Sequence, residues 1–403
     1  MIDLFRAIYY RLIDELDVAH YRYLYDTFEV NARLVGLVGP RGVGKTTLLL
    51  QFIRDKVKDR QKAFYLSADH IYFNKITLFE FVQELYETDA VELIFIDEIH
   101  KYKNWNQELK NIYDAFPRIK VVFSGSSNID LVEGTHDLSR RAVLYYMRGL
   151  SFREYLNFTT NSKHDPVSLN DLMGGHVELA AQWARIPRLR GHFSSYLQEG
   201  YYPFVFEPGG HFYSKLGQVI DKTVFEDIAH FYNLKTANLI YFKKILYFLT
   251  TIPPGRLNIH NLANNLGIDD KTTAHYIRIL QATGLTRLLF ADQRGSRLLR
   301  KPEKAYLNNT TLLHAVGHDL GQAPDIGAVR ELFFLSAVED AGQHAFYSRD
   351  AGDFRVGDWL FEVGGPQKTR HQVKHRENAF VVKDGVLQGG RSTIPLHAFG
   401  FLY

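Results

Sequence analysis

The chain has 403 residues, no cysteine, 48 Lys+Arg against 45 Asp+Glu for a net charge of +3, and 46% hydrophobic residues. At roughly 100–200 residues per domain this predicts two to four domains with apolar material for a core in each. Zero cysteine excludes disulfide staples, a thiol nucleophile, iron–sulfur clusters and cysteine zinc sites. The first residues, MIDLFRAIYYRLIDELD, carry Arg6, Arg11, Asp14, Glu15 and Asp17, which fits neither a signal peptide nor a membrane span, so the expectation is a cytoplasmic protein with no membrane partner. A mild net charge neither requires nor excludes nucleic acid.

In chain order, residues 3–25 are expected to form an amphipathic helix with Leu4, Ile8, Leu12, Ile13 and Leu16 at helical spacing. Leu34–Val38 then predicts a strand, Thr46–Val57 a helix, Ala63–Ser67 a strand, Leu78–Glu87 a helix, Leu93–Ile96 a strand, Trp105–Phe116 a helix, and Lys120–Ser124 and Val143–Met147 two more strands. Strands alternating with helices mean βαβ units and a parallel sheet, and continuous apolar runs mean a sheet covered on both faces. From Ser151 the pattern turns to long helical stretches, with residues 212–251 helical up to the break at Pro253-Pro254-Gly255. Residues 258–289 form two helices separated by Gly267, and Leu288–Ala291 with a return at Tyr306-Leu307 forms a hairpin, the layout of a winged helix-turn-helix. A helix over 327–340 and strands at Ala345–Ser348, Val356–Val363, Ala379–Val382 and Leu396–Leu402 complete the chain.

Between the first strand and its helix lies Gly39-Pro40-Arg41-Gly42-Val43-Gly44-Lys45-Thr46, followed by Thr47, which fits G-x-x-x-x-G-K-[ST] in the context that gives the pattern meaning. Glycines let backbone N–H groups curl round phosphates, Lys45 reaches the β/γ oxygens and the Thr46 hydroxyl ligates Mg²⁺. The apolar strand Leu93–Ile96 ends in Asp97 and Glu98: Asp97 is placed to hold Mg²⁺ through water, and Glu98 to orient and polarise an attacking water, which points to hydrolysis. Gly125-Ser126-Ser127-Asn128 closes the next strand, and Ser126 or Ser127 is either a contact to the γ-phosphate or a helix cap. Arg140 and Arg141 are either a surface pair or the source of an arginine that neutralises transition-state charge in a neighbouring subunit.

The strings GPRGVGKTTLL, LIFIDEIHKYKNW, VVFSGSSN, LSRRAVLYYMRGLSFREYL and EGYYPF resemble a prokaryotic family of AAA-type P-loop ATPases that pairs the ATPase core with a carboxy-terminal domain of undefined role. That resemblance implies ATP with Mg²⁺, a core sheet of order 5-1-4-3-2, Ser127 as sensor, Arg140 or Arg141 as the arginine acting in trans within a homo-oligomer, and Gly200–Pro203 in a helical lid, with Pro203 near the adenine. The fold class expected is α/β: an ATPase core over 1–150, a helical lid over 151–235, a winged helix over 236–315 and a small α/β nuclease-like domain over 325–403.

Two features bear on partners. In the winged segment Asp269 or Asp270 caps the second helix, and Thr272, Thr273, His275, Tyr276 and Arg278 are expected on or beside its exposed face. The hairpin carries Arg287, Arg294, Arg297, Arg300, Lys301 and Lys304, which suits phosphate contacts along DNA; the alternative is packing as a regulatory module. Further on, Glu331, Asp353 and Glu362 resemble the acid series of the PD-(D/E)xK nucleases, but glycine stands at 364 where the lysine belongs, with Lys368 or Lys374 as substitutes, so a degenerate scaffold is favoured. His371 and His375 lack the glutamate of a metalloprotease motif. The expected function is Mg²⁺-dependent ATP hydrolysis that moves a winged-helix and nuclease-like module, acting on DNA; the rivals are a signalling or assembly switch that touches no nucleic acid and an ATP-regulated nuclease.

Overall fold

A computed structural model describes residues 2–16, 20–125, 138, 140–252, 257–292, 301–348, 351–370, 376 and 378–403, which fall into two compact units, Met1–Arg148 and Gly149–Tyr403.

The first unit opens with α1 (Ile2–Asp14), shorter than the sequence pattern implies. Its buried stripe is Ile2, Phe5, Tyr9 and Ile13, while Leu4 and Leu12 are exposed, so the packing face is rotated one position from the expected one. Phe5 is held edge-on by His70 and Phe81, because an aromatic ring buries more surface than the leucines beside it. Then follow β1 (Leu34–Val38), α2 (Lys45–Lys56), β2 (Ala63–Ser67), α3 (Leu78–Thr88), β3 (Leu93–Asp97), α4 (Trp105–Ala115), β4 (Lys120–Gly125) and β5 (Ala142–Tyr146). The strands form one parallel sheet of order β2-β3-β4-β1-β5, the order that the resemblance implies. β1 is buried at every position, as a central strand covered on both faces requires. At Gly36 a Cβ would stand 2.5 Å from Leu144 and 2.7 Å from Phe123, so only glycine lets β4 and β5 close on β1.

The second unit has helices α5 (Phe152–Thr160), α6 (Leu169–Trp183), α7 (Leu189–Glu199) and α8 (Phe212–Lys222), a π-helical turn at Thr223–Ile228, then α9 (Ala229–Tyr232) and α10 (Thr236–Thr251). The continuous helix expected over 212–251 is broken at Asn233, whose φ of 47° is left-handed. Next come α11 (Ile259–Leu266) and α12 (Asp270–Ala282), joined through Gly267 at φ 70°, and the antiparallel pair β6 (Thr286–Leu289) and β7 (Lys304–Leu307). Asp269 is the cap of α12, accepting from the Thr272 N–H at 2.9 Å. After α13 (Thr310–Asp319) and α14 (Ile326–Asp340) a sheet of order β12-β11-β10-β9-β8 is built from β8 (Ala345–Tyr347), β9 (Phe354–Val356), β10 (Trp359–Gly364), β11 (Ala379–Lys383) and β12 (Thr393–Pro395). The strand expected over Val356–Val363 is two strands, β9 and β10, folded back at Gly357 with φ 57°. The expected terminal strand over Leu396–Leu402 is a 3₁₀ helix, Leu396–Phe401, in which Phe401 stacks on Trp183 at 4.1 Å. Bonds between Phe290, Asp292 and Tyr347 join the end of β6 to β8, so the β6–β7 pair and the carboxy-terminal sheet are one structure.

Candidate functional site

The site lies at the carboxyl ends of β1, β3 and β4. β1 stops at Val38 and the chain turns through Gly42 and Gly44, at φ 79° and 95°, into α2. Those left-handed angles favour glycine and give the loop the curl that brings successive N–H groups to one side. Lys45, buried, folds its ammonium onto the carbonyls of Gly39 and Pro40, each at 2.9 Å. Those carbonyl dipoles stand where water would solvate an exposed ammonium.

Parallel register sets Asp97 beside Ser67 on one side and next to the end of β4 on the other. Its buried carboxylate accepts from four donors. Oδ2 takes the Thr46 hydroxyl at 2.6 Å and the Tyr65 hydroxyl at 2.8 Å, while Oδ1 takes the Ser124 hydroxyl and the Glu98 N–H at 3.1 Å. Four donors fill a carboxylate's lone-pair sites, which keeps a buried charge solvated by protein. Burial, with the Asp97 charge next to it, pushes the Tyr65 phenol far above its ordinary range, so it stays a donor. Glu98 sits at φ 52°, a left-handed angle rare for a non-glycine residue, and its N–H also bonds the Ser124 hydroxyl at 3.1 Å. Its carboxylate lies 3.4 Å from the buried His100 ring.

Thr46, Asp97 and Glu98 therefore come together with Lys45 as the sequence implies. Ser124 and Tyr65 were not anticipated. Each is a hydroxyl at an inward position of an otherwise apolar strand flanking β3, and that lone polarity was the available signal. Ser126 and Ser127 lie outside the described residues. Arg141 is tied in its own unit, 3.5 Å from Asp114 and over the Tyr113 ring at 5.6 Å, whereas Arg140 is exposed.

In the second unit Pro203 opens a short 3₁₀ helix beside Tyr201 and Tyr202, whose rings are buried; the Tyr201 hydroxyl donates to Asp340 at 3.1 Å. On α12, Lys271, His275 and Arg278 are exposed, Tyr276 is buried with the apolar positions of the helix, and Thr273 is buried and leaves the expected exposed face. Arg294, Arg297 and Arg300 lie outside the described residues, and Lys301 is exposed. Arg287 and Lys304, counted as basic surface in the sequence, are buried instead. Arg287 bonds Asp340 at 2.7 Å and Glu339 at 3.1 Å. Burial opposes its charge, yet Asp340, Glu339 and Tyr201 outweigh that and hold the guanidinium above its ordinary value.

Lys304 bonds Glu331 at 2.8 Å, and the same Glu331 oxygen accepts from the Tyr306 hydroxyl at 2.6 Å. Burial still raises the Glu331 carboxyl, against the pull of Lys304. Asp353 accepts from the Val363 N–H at 2.8 Å, and the buried Glu362 lies 3.0 Å from the Lys368 ammonium. A Cβ at Gly364 would stand 2.8 Å from the Lys368 stem, so the missing side chain at 364 makes the room that Lys368 fills. Among the described residues no group of three or more His, Cys, Asp or Glu side chains is placed to hold a metal ion. Lys374, His371 and His375 lie outside the described residues. No helix among the described residues is long and apolar enough to cross a membrane.

Residues 31–156 match the model of the AAA domain, and residues 190–324 match a domain of unknown function, DUF8612. No curated protein matches the sequence. Among solved structures, PCH-2 of C. elegans is 16% identical, with 68% of this chain and 66% of that chain covered and a TM-score of 0.25. DnaA of Aquifex aeolicus bound to AMPPCP is 15% identical over 69% and 88%, with a TM-score of 0.28. The S. cerevisiae Hsp104–ADP complex is 17% identical over 68% and 40%, with a TM-score of 0.32. The match to the AAA domain over residues 31–156, the five-stranded parallel sheet and the phosphate loop together support a P-loop NTPase of AAA type.

Proposed function

We propose that the protein binds ATP with Mg²⁺ and hydrolyses it, and that turnover drives a conformational change in the second unit, where α11, α12, β6 and β7 act as a winged helix on DNA. The observation that carries the ATPase reading is the meeting of Thr46, Tyr65 and Ser124 on Asp97, the residue before Glu98. Thr46 and Asp97 are hard oxygen donors 2.6 Å apart, the chemistry that Mg²⁺ prefers, and they are the residues that would hold it. Bound there, Mg²⁺ neutralises charge on the β- and γ-phosphates. Lys45 exchanges its two carbonyl partners for phosphate oxygens, and the three remaining donors, Tyr65, Ser124 and the Glu98 N–H, keep Asp97 in place when Thr46 turns toward the ion. Glu98, at the end of β3, orients the attacking water and draws on its proton. Arg140, exposed on the surface, is the residue offered to a neighbouring subunit.

Lys45→Ala is expected to abolish binding of a fluorescent ATP analogue; binding at wild-type strength would overturn the ATPase reading. The DNA part rests on the exposed Lys271, His275 and Arg278 of α12. A gel shift at rising salt, with and without ATP, compares wild type with Arg278→Glu/Arg297→Glu/Arg300→Glu: retarded DNA in the wild type and its loss in the variant support it, and equal behaviour sinks it. One observation favours the switch that touches no nucleic acid. Arg287 and Lys304, two of the basic residues of the β6–β7 pair, are spent on the buried Asp340 and the part-buried Glu331. In that case ATP turnover persists and no shift appears at any salt.

A further inference from the structure

Residues 20–28 form neither helix nor strand, yet they are bonded to the phosphate-loop helix along their length. Gln51 of α2 donates to the His20 carbonyl at 2.9 Å and Lys56 to the Tyr25 carbonyl at 2.7 Å. The Tyr21 and Tyr25 hydroxyls both reach Asp55 of α2, at 2.9 and 3.0 Å. The Tyr23 hydroxyl accepts from the Arg148 N–H at 3.1 Å and donates to the Tyr146 carbonyl at 3.0 Å, and Phe28 is packed edge-on between Phe52 and Tyr145. In the middle of this strap the buried Arg22 donates to the Val43 carbonyl at 2.5 Å and, from its other terminal nitrogen, to the Arg148 carbonyl at 2.8 Å.

Val43 stands between the two left-handed glycines of the phosphate loop and is fully buried. A loop that turns its N–H groups to one side turns its carbonyls to the other, and a buried carbonyl needs a donor. Arg22 supplies a charged one, which is the stronger kind. The Val43 carbonyl and the Gly44 N–H belong to one planar peptide unit and point in opposite directions. Fixing the carbonyl therefore fixes the direction of the Gly44 N–H.

We propose that Arg22 is a positioning residue for nucleotide phosphate: by gripping the Val43 carbonyl from behind, it aims the Gly44 N–H into the loop. This rests on the nucleotide reading of the loop given above. Arg22 acts on the backbone of the loop through the Val43 carbonyl, so it sets affinity and leaves the chemical step alone. Because the diphosphate also lies in the loop, ATP and ADP lose affinity together.

The test measures binding of fluorescent ATP and ADP analogues, steady-state ATP turnover and thermal stability for wild type, Arg22→Lys, Arg22→Met and Lys45→Ala. Arg22→Met is expected to weaken both nucleotides about ten- to a hundredfold, the worth of one charge-assisted hydrogen bond. Its KM rises accordingly, while kcat at saturating ATP stays within about threefold. Arg22→Lys, with one donor nitrogen in place of the two-nitrogen fork, recovers part of the affinity. A folded Arg22→Met with wild-type affinity overturns the proposal, as does a fall in kcat with KM unchanged. Should Arg22→Met fail to fold, Arg22→Lys decides alone: weaker binding of both nucleotides supports the proposal and wild-type binding overturns it. Lys45→Ala separates the two levels, because wild-type binding by that variant removes the nucleotide reading itself, whereas its loss beside an unaffected Arg22 series removes only the role given to Arg22.

Discussion

Ser124 and Asp97 show how one hydroxyl decides the use of a neighbouring charge. Asp97 is buried with four donors, and Ser124 is shared between its carboxylate and the Glu98 N–H. Ser124→Ala removes a donor from the Asp97 carboxylate and an acceptor from the Glu98 N–H, at a cost of about 1–3 kcal/mol in denaturant unfolding for the buried groups left unmet. Because the same bond holds the strained turn at Glu98, turnover is expected to fall more than nucleotide affinity does; an affinity loss with kcat preserved would contradict that. The two arginines separate in the same way. Arg141 is bound within its own unit and Arg140 is exposed, so Arg140→Ala is expected to lower turnover with little change in melting temperature, and Arg141→Ala to lower the melting temperature. If Arg140 acts in trans, specific turnover of the wild type rises with protein concentration and that of Arg140→Ala stays flat.

At the scale of elements, strands that are apolar from end to end announce themselves, and all five core strands stand where the runs of Leu, Val, Ile and Phe place them. Placement failed where apolar content was right but its spacing was ambiguous. The helix expected to run to residue 25 ends at Asp14, and the Tyr21, Tyr23 and Tyr25 hydroxyls reach Asp55 and the Tyr146 carbonyl, where a continuing helix would not deliver them. Leu396–Phe401 is as apolar as a strand, but a Cβ at Gly400 would stand 2.5 Å from Phe152, and the run coils so that Phe401 can lie on Trp183. Charge misled more than hydrophobicity did, because Arg287 and Lys304 in a list of basic residues carry no mark of the carboxylates that bury them. The Thr46, Asp97 and Glu98 set was legible because each sits at the end of an apolar strand or loop; Arg22 was not, since its partner is a backbone carbonyl. Arg287→Met leaves Asp340 buried without its cationic partner and is expected to cost about 3–5 kcal/mol in urea unfolding. Arg287→Met/Asp340→Leu should recover most of that loss, and an additive loss in the double variant would show that the pair is not coupled.

For the whole molecule, acid is expected to weaken the fold through His397. Burial pushes this imidazole down to about 4, against an ordinary value of 6.5. The unfolded chain thus takes up a proton that the folded one refuses, and stability present above pH 6.5 is lost as pH falls toward 4, by up to about 3 kcal/mol. His397→Leu should flatten the slope of unfolding free energy across that window, and an unchanged slope would assign it to other groups. The near-neutral total charge conceals how charge is spent: lysines and arginines pair with carboxylates in the second unit, while the first, on the proposed reading, commits Lys45 and the Asp97 cage to phosphate and metal. The claim on which the rest depends is that Glu98 activates water for a nucleotide held by the loop. It is tested most directly by Glu98→Gln in a single-turnover experiment with radiolabelled ATP and Mg²⁺. Retained ATP, bound as tightly as in the wild type with phosphate release suppressed, is the expected result, and release at the wild-type rate would contradict it.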